Sequence, residues 1–171
     1  MEIEKKAAVE LKLEFQALVP FLNLPSNRGS YINLWDFKQR KNLILIFHHG
    51  KNCLYCIAKL KELARIYSDI RALEGEVLAV SFDKIADLQR AGEENELPFP
   101  LLSDADGATT VRFTMIDNSK NTPFPTILIT DRFGALRYWK TAEEATGLPS
   151  VDEMLSELLH IQSECPECSH L

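Results

Sequence analysis

The sequence predicts an α/β protein built around a mixed β-sheet, on three observations. A continuous apolar run at 43–47 (LILIF) is too short for an ordinary helix and reads as a central strand buried on both faces. Helical apolar spacing follows it, through Ile57, Leu60, Ala64 and Tyr67. Beyond that, strand-like runs at 76–82 (EVLAVSF) and 125–130 (PTILIT) alternate with further helical stretches, the order expected of α/β chains.

Taken in order, Ile3, Ala7, Leu11, Phe15 and Leu18 stand near helical spacing and predict an N-terminal helical extension over 1–18, ending before Pro20. The stretch 20–37 alternates apolar residues with turn formers, as short strands and a hairpin do. The helix opening at Leu54 should run to about Gly75. Residues 84–95 read as a helix, and 97–107 as a loop with a short buried piece. The strand at 125–130 turns through Asp131-Arg132-Phe133-Gly134 into 135–139 (ALRYW), a strong hairpin signal. Ser150, with Glu153 three residues on, marks the start of a last helix reaching about Ile161. The domain proper is therefore 19–162, followed by a short polar tail at 163–171.

Composition narrows the function. The 171 residues are 46% hydrophobic and 26% charged, enough for one domain with a full core. A net charge of −6 argues against nucleic acid as a partner. No apolar run is long enough to span a bilayer, and the start (MEIEKK) lacks the basic-then-apolar order of a signal peptide. The expectation is a cytoplasmic protein with no membrane association. In that compartment four cysteines in two close pairs point to redox or metal chemistry rather than to structural disulfides.

The first pair, Cys53-Leu54-Tyr55-Cys56, falls where the central strand gives way to a helix. A cysteine at that junction sits among unpaired backbone N–H groups, and these, with the helix dipole, favour a thiolate. The three-residue spacing brings the second sulfur back over the first turn, within bridging reach. Two buried thiols are the bland alternative. A metal is another, with His48 or His49 beside the cysteines, although consecutive residues after a strand point to opposite faces.

The stretch 19–63 resembles the opening of the redoxins, the alkyl hydroperoxide reductase/thiol-specific antioxidant branch of the thioredoxin superfamily. Pro20, Leu22, Leu24-Pro25, Gly29, Leu34, Asp36-Phe37 and the run 43–47 follow that family's order. Residues 49–56 (HGKNCLYC) are similar to its Arg-Gly-x-Trp-Cys-Pro-x-Cys subgroup, with His for Arg, Asn for Trp and Leu for Pro. The resemblance spans 19–162 and implies a thioredoxin-like fold. It also implies a cis-proline before the strand facing the cysteines, a place that Phe124-Pro125-Thr126 would fill as a docking edge for substrate.

Within the family, peroxiredoxins carry Pro-x-x-x-Thr-x-x-Cys, with the threonine and an arginine orienting peroxide. If Cys56 held the peroxidatic place, His49 would replace the proline and Cys53 the threonine. No arginine lies between Lys120 and Thr130, where the facing strand would supply one, which leaves Arg112 or Arg132 to reach in. The first expectation is therefore dithiol–disulfide exchange, with Cys53 attacking a protein disulfide and Cys56 resolving the mixed disulfide. Peroxide reduction through a sulfenate is the alternative, and a redox-regulated or metal-binding module without catalysis the third. Either catalytic reading needs a dithiol electron donor, such as a thioredoxin system, and no cofactor.

The tail holds the second pair, Cys165-Pro166-Glu167-Cys168. It reads as an accessory redox relay to Cys53 and Cys56, or as half of a zinc site that His160 and His170 would complete.

Overall fold

A computed structural model describes residues 13–164. The second cysteine pair and residues 1–12 lie outside the described residues.

β1 (Asn23–Pro25) and β2 (Tyr31–Asn33) form the expected antiparallel hairpin, turned by Gly29 at a φ of +83°. The central run is β3 (Asn42–Phe47), every residue of it buried. β4 (Gly75–Ser81) and β5 (Leu101–Ser103) continue the sheet in parallel on one side. A small hairpin, β6 (Ile116–Asp117) with β7 (Thr122–Pro123), stands apart from the sheet. β8 (Thr126–Thr130) and β9 (Leu136–Thr141) complete it antiparallel, giving the five-stranded order β5-β4-β3-β8-β9.

Strand periodicity divides the core between the two faces of this sheet. Ile44 and Ile46 point to the face covered by α1 (Leu54–Arg65), α2 (Tyr67–Ala72) and α4 (Val151–Ser163), with Leu88 of α3 (Ile85–Glu94) in the same cluster. Leu43, Leu45 and Phe47 point to the other face, which Leu22, Leu24 and Phe113 cover. The architecture is a mixed sheet flanked by helices, in the thioredoxin-like arrangement.

Two expectations need correction. The N-terminal helix does not extend through 13–18. Gln16 has a φ of +65°, its N–H donates to the Leu136 carbonyl at 2.7 Å, and the Leu136 N–H donates to Ala17 at 2.9 Å. The open edge of β9 recruits this segment and satisfies its backbone there. The long helix from Leu54 is also two helices. It breaks at Ile66 (φ −104°, ψ 11°) with neither glycine nor proline nearby. The break lets Ile70 pack into the space above Gly75, where an added Cβ would lie 2.7 Å from the Ile70 side chain. Tyr67 is then placed to donate from its hydroxyl to Glu76 of β4 at 2.6 Å.

Candidate active site

β3 ends at the buried Phe47, and the chain must turn at once to start α1. That turn is tied down from two sides. The ring of His48, buried and facing inward, accepts the Gly50 N–H on Nδ1 at 3.1 Å. Gly50 has a φ of +109°, and a Cβ there would meet the Asp83 carboxylate at 2.8 Å, so glycine is required twice over. Asp83 accepts the Lys51 N–H at 2.8 Å and the Ser81 hydroxyl at 3.0 Å, and Lys51 pairs with Asp87 at 2.7 Å. The Cys53 N–H closes the turn onto the Gly50 carbonyl at 3.1 Å.

Cys53 is thereby fixed as the N-cap of α1, with extended backbone (φ −89°, ψ 104°). Its Sγ accepts the Cys56 N–H at 3.2 Å, the hydrogen bond an N-cap oxygen would take. The first turn of α1 holds no acidic side chain, so no local carboxylate opposes the positive end of the helix at the sulfur. Cys53 is half-buried, whereas Cys56 is fully buried beside Leu60 in the core. Burial and the side-chain hydrogen bond with Cys53 push the Cys56 thiol well above the ordinary range, against the pull of a backbone bond with His49. Cys56 is a thiol at neutral pH. Leu54 and Tyr55, between the two, are exposed.

His49 points to the opposite side from His48 and joins the cysteines. One of its ring nitrogens and both sulfurs lie within 4.8 Å of one another. Partial burial and then the Lys120 cation hold this imidazole below its usual range, so it is neutral. Lys120, in the β6–β7 turn, pairs with Glu144 at 2.6 Å, and Asp117 adds a further negative charge facing His49. Nothing local links Lys120, Glu144, Asp117 or the Asp83 clamp to the cysteines, because these residues lie far apart in the chain.

The proline expectation is overturned in its geometry. Among the described residues there are no cis peptide bonds, so Phe124–Pro125 is trans. The Phe124 N–H donates to Met115 at 3.0 Å, and the Pro125 carbonyl accepts from Ala142 at 2.9 Å and from the Thr141 hydroxyl at 3.2 Å. The Thr126 hydroxyl is buried among Phe124 O, Thr114 and Thr141. Thr126 pairs with Phe47 and so lies at the cysteine end of the sheet, but this edge is consumed internally. Thr130 pairs with Leu43, which puts the Arg132 turn at the opposite end from the cysteines. Arg112, itself exposed, ends a 3-10 turn whose first residue, Thr110, is buried.

A cysteine pair spanning the first turn of a helix on this sheet is an arrangement suited to thiol-dependent redox chemistry on a thioredoxin-like fold. Residues 16–139, more than half of the chain, match the AhpC/TSA family, and the chain belongs to that family. It is 26% identical over 111 residues to the putative peroxiredoxin bcp of Coxiella burnetii, covering 64% of this chain and 73% of that protein. It is 29% identical over 96 residues to peroxiredoxin Bcp of Escherichia coli K12, covering 56% of this chain and 61% of that one. In fold it matches Enterococcus faecalis AhpC with a TM-score of 0.78 over 89% of this chain and 98% of that one, at 17% identity. No helix among the described residues is long and apolar enough to cross a membrane.

Proposed function

We propose that the protein is a thiol peroxidase in which Cys53 attacks the peroxide and Cys56 resolves the product. The observation that carries this reading is the Cys53 sulfur, half-buried at a helix start and accepting a backbone N–H, with a protonated partner thiol behind it. The peroxiredoxin names of the relatives support the same chemistry. Disulfide exchange loses its docking edge, since Phe124 and Pro125 have no free backbone edge to offer a protein substrate.

The steps balance without a cofactor. The Cys53 thiolate attacks one peroxide oxygen, an S–O bond forms as the O–O bond breaks, and the leaving alkoxide or hydroxide takes up a proton. The helix N-terminus beside the Cys53 sulfur supplies positive potential at the attacking atom. The Cys56 sulfur then attacks the Cys53 sulfenic sulfur, its proton leaves with the hydroxyl as water, and a Cys53–Cys56 disulfide results. An external dithiol supplies the two electrons that restore the pair. Exchange at Cys53 remains the second reading, favoured by the exposed apolar Leu54 and Tyr55 flanking the sulfur.

Reduced protein mixed with hydrogen peroxide, or separately with a disulfide substrate, decides between them when thiol loss is followed. The Cys165→Ser/Cys168→Ser variant keeps the readout to the helix pair. Two thiols lost per peroxide support the peroxidase, and loss only with the disulfide would replace it by exchange.

A further inference from the structure

His49 has no part in the reaction written above, yet it is held against both sulfurs. We infer that His49, Cys53 and Cys56 form a three-ligand site for zinc(II), one that holds the reduced pair and releases the ion when the pair is oxidised. The site is distinct from the tail pair and does not depend on the peroxidase reading.

Four features carry it. The donor set is one imidazole and two sulfurs, a combination that thiophilic d10 ions prefer. The three ligand atoms already lie within 4.8 Å of one another. Zinc with bonds of about 2.3 Å needs tetrahedral edges of about 3.8 Å, so closing the site takes shifts of roughly 1 Å or less. The ligands come from a rigid frame: the Lys51 N–H is held by Asp83, the Gly50 N–H by the His48 ring, and Cys56 is seated in the core. Finally, the Nε2 of His49 is enclosed and has no hydrogen-bond partner, an unmet need that a ligand or a bound water would satisfy.

Charge does not oppose the ion. The groups facing His49 are Lys120, Glu144 and Asp117, one positive against two negative, and Lys120 is already paired with Glu144. The half-buried position of Cys53 leaves the fourth coordination place open to solvent or an exogenous ligand.

Occupancy and peroxide chemistry compete for the same two sulfurs. The zinc-bound pair reacts with hydrogen peroxide and two protons to give the disulfide, two water molecules and free zinc(II). Two electrons leave the sulfurs and enter the O–O bond, so the ion keeps its charge. The chemistry is that of a zinc site opened by oxidation, with one ion released for each disulfide formed.

Zinc(II) titration of the reduced, chelator-stripped full chain tests this, with a chromophoric chelator as competitor. The background is Cys165→Ser/Cys168→Ser, which removes the tail thiols. One zinc per chain is expected to remain there. Adding Cys53→Ser should weaken binding at least a hundredfold, and His49→Ala at least tenfold. Serine is a good N-cap, so loss in Cys53→Ser cannot be blamed on an unravelled helix. Cobalt(II) in place of zinc should show sulfur-to-metal charge transfer and the strong visible bands of a tetrahedral site. Hydrogen peroxide should then release one zinc per disulfide. Three results overturn the site: no binding in the tail-less background, binding indifferent to Cys53→Ser, or binding indifferent to His49→Ala. A protein that binds zinc but reacts slowly with peroxide would sink the peroxidase and leave the site standing.

Discussion

Two helices of this protein begin on a side chain that accepts the amide hydrogen three residues on. At α4 the Ser150 hydroxyl takes the Glu153 N–H at 3.2 Å, and at α1 the Cys53 sulfur takes the Cys56 N–H at the same 3.2 Å. The local geometry is shared and the surroundings are not. The first turn of α4 carries Asp152 and Glu153, whose charges offset the helix dipole, and the capped residue Glu153 is exposed. The first turn of α1 carries no acid, and its capped residue is a buried thiol. Serine caps helices well and cysteine is not among the preferred caps, so stability does not explain sulfur at position 53. One cap secures a helix, whereas the other leaves the field of the helix end free to act on a sulfur.

The sharpest break between the two comes from Cys53→Ser. Peroxide-dependent thiol oxidation should fall by about a thousandfold or more, because the nucleophile is gone. The melting temperature should stay level or rise slightly, because the new cap is the better one. Stopped-flow kinetics and a thermal melt read the two effects on one sample. A large drop in stability would mean that the sulfur is structural.

Acid should undo the α1 turn and spare α4. His48 is fully buried, and burial lowers its pKa to about 4 against 6.5 for a free imidazole, with Asp83 pulling the other way. A depressed base leaves stability untouched above about pH 6.5, where both states are neutral. As pH falls from there towards 4 the unfolded state binds the proton first, and stability drops by up to about 3 kcal/mol. Denaturant melts across that range should show the slope, and a His48→Gln variant should flatten it.

Removing Cys56 separates attack from resolution. In Cys56→Ser the first peroxide should still be consumed, but the reaction should stop at a Cys53 sulfenic acid, trapped by dimedone and located by peptide mass. A hydroxyl placed at this buried site should cost about 1–3 kcal/mol. Disulfide formation in this variant through the tail pair would show instead that Cys165 or Cys168 can resolve the sulfenate.

Much of this was legible in the sequence where the cause is local. The run 43–47, the turn residues of the β1–β2 hairpin and the Ser150 cap each declare themselves within a few residues, and each stands where the pattern put it. What the pattern missed was set by distant partners. The spacing that suggested a helix up to Leu18 yields in 13–18 to the open edge of β9, more than a hundred residues on. The break at Ile66 follows from the space above Gly75 and has no breaker residue of its own. The cis bond expected at Pro125 is absent, and the Pro125 carbonyl is taken by Thr141 and Ala142 from the neighbouring strand end. At the site the cysteines were readable. The side on which His49 falls, and the groups that face it, were not.

The smallest effect belongs to Ser150, and it tests the comparison from the other side. Ser150→Ala should cost about 1 kcal/mol. That lowers the melting temperature by roughly 2–4 °C for a chain of this size and leaves the peroxide rate unchanged. Ser150→Cys goes further, since it gives α4 a sulfur in the same capping geometry. If an N-cap position alone made a cysteine reactive, this thiol would alkylate as fast as Cys53. The carboxylates of Asp152 and Glu153 should disfavour its thiolate, and no partner thiol lies behind it. Limiting iodoacetamide at pH 6.5, followed by peptide mapping, should therefore label Cys53 several-fold ahead of the new cysteine. Equal labelling would mean that the acid-free first turn of α1 contributes nothing, and that reactivity comes with the cap alone. Exchanging Asp152 and Glu153 for Asn and Gln in that background should then close most of the gap, since the carboxylate charge is what separates the two helix starts.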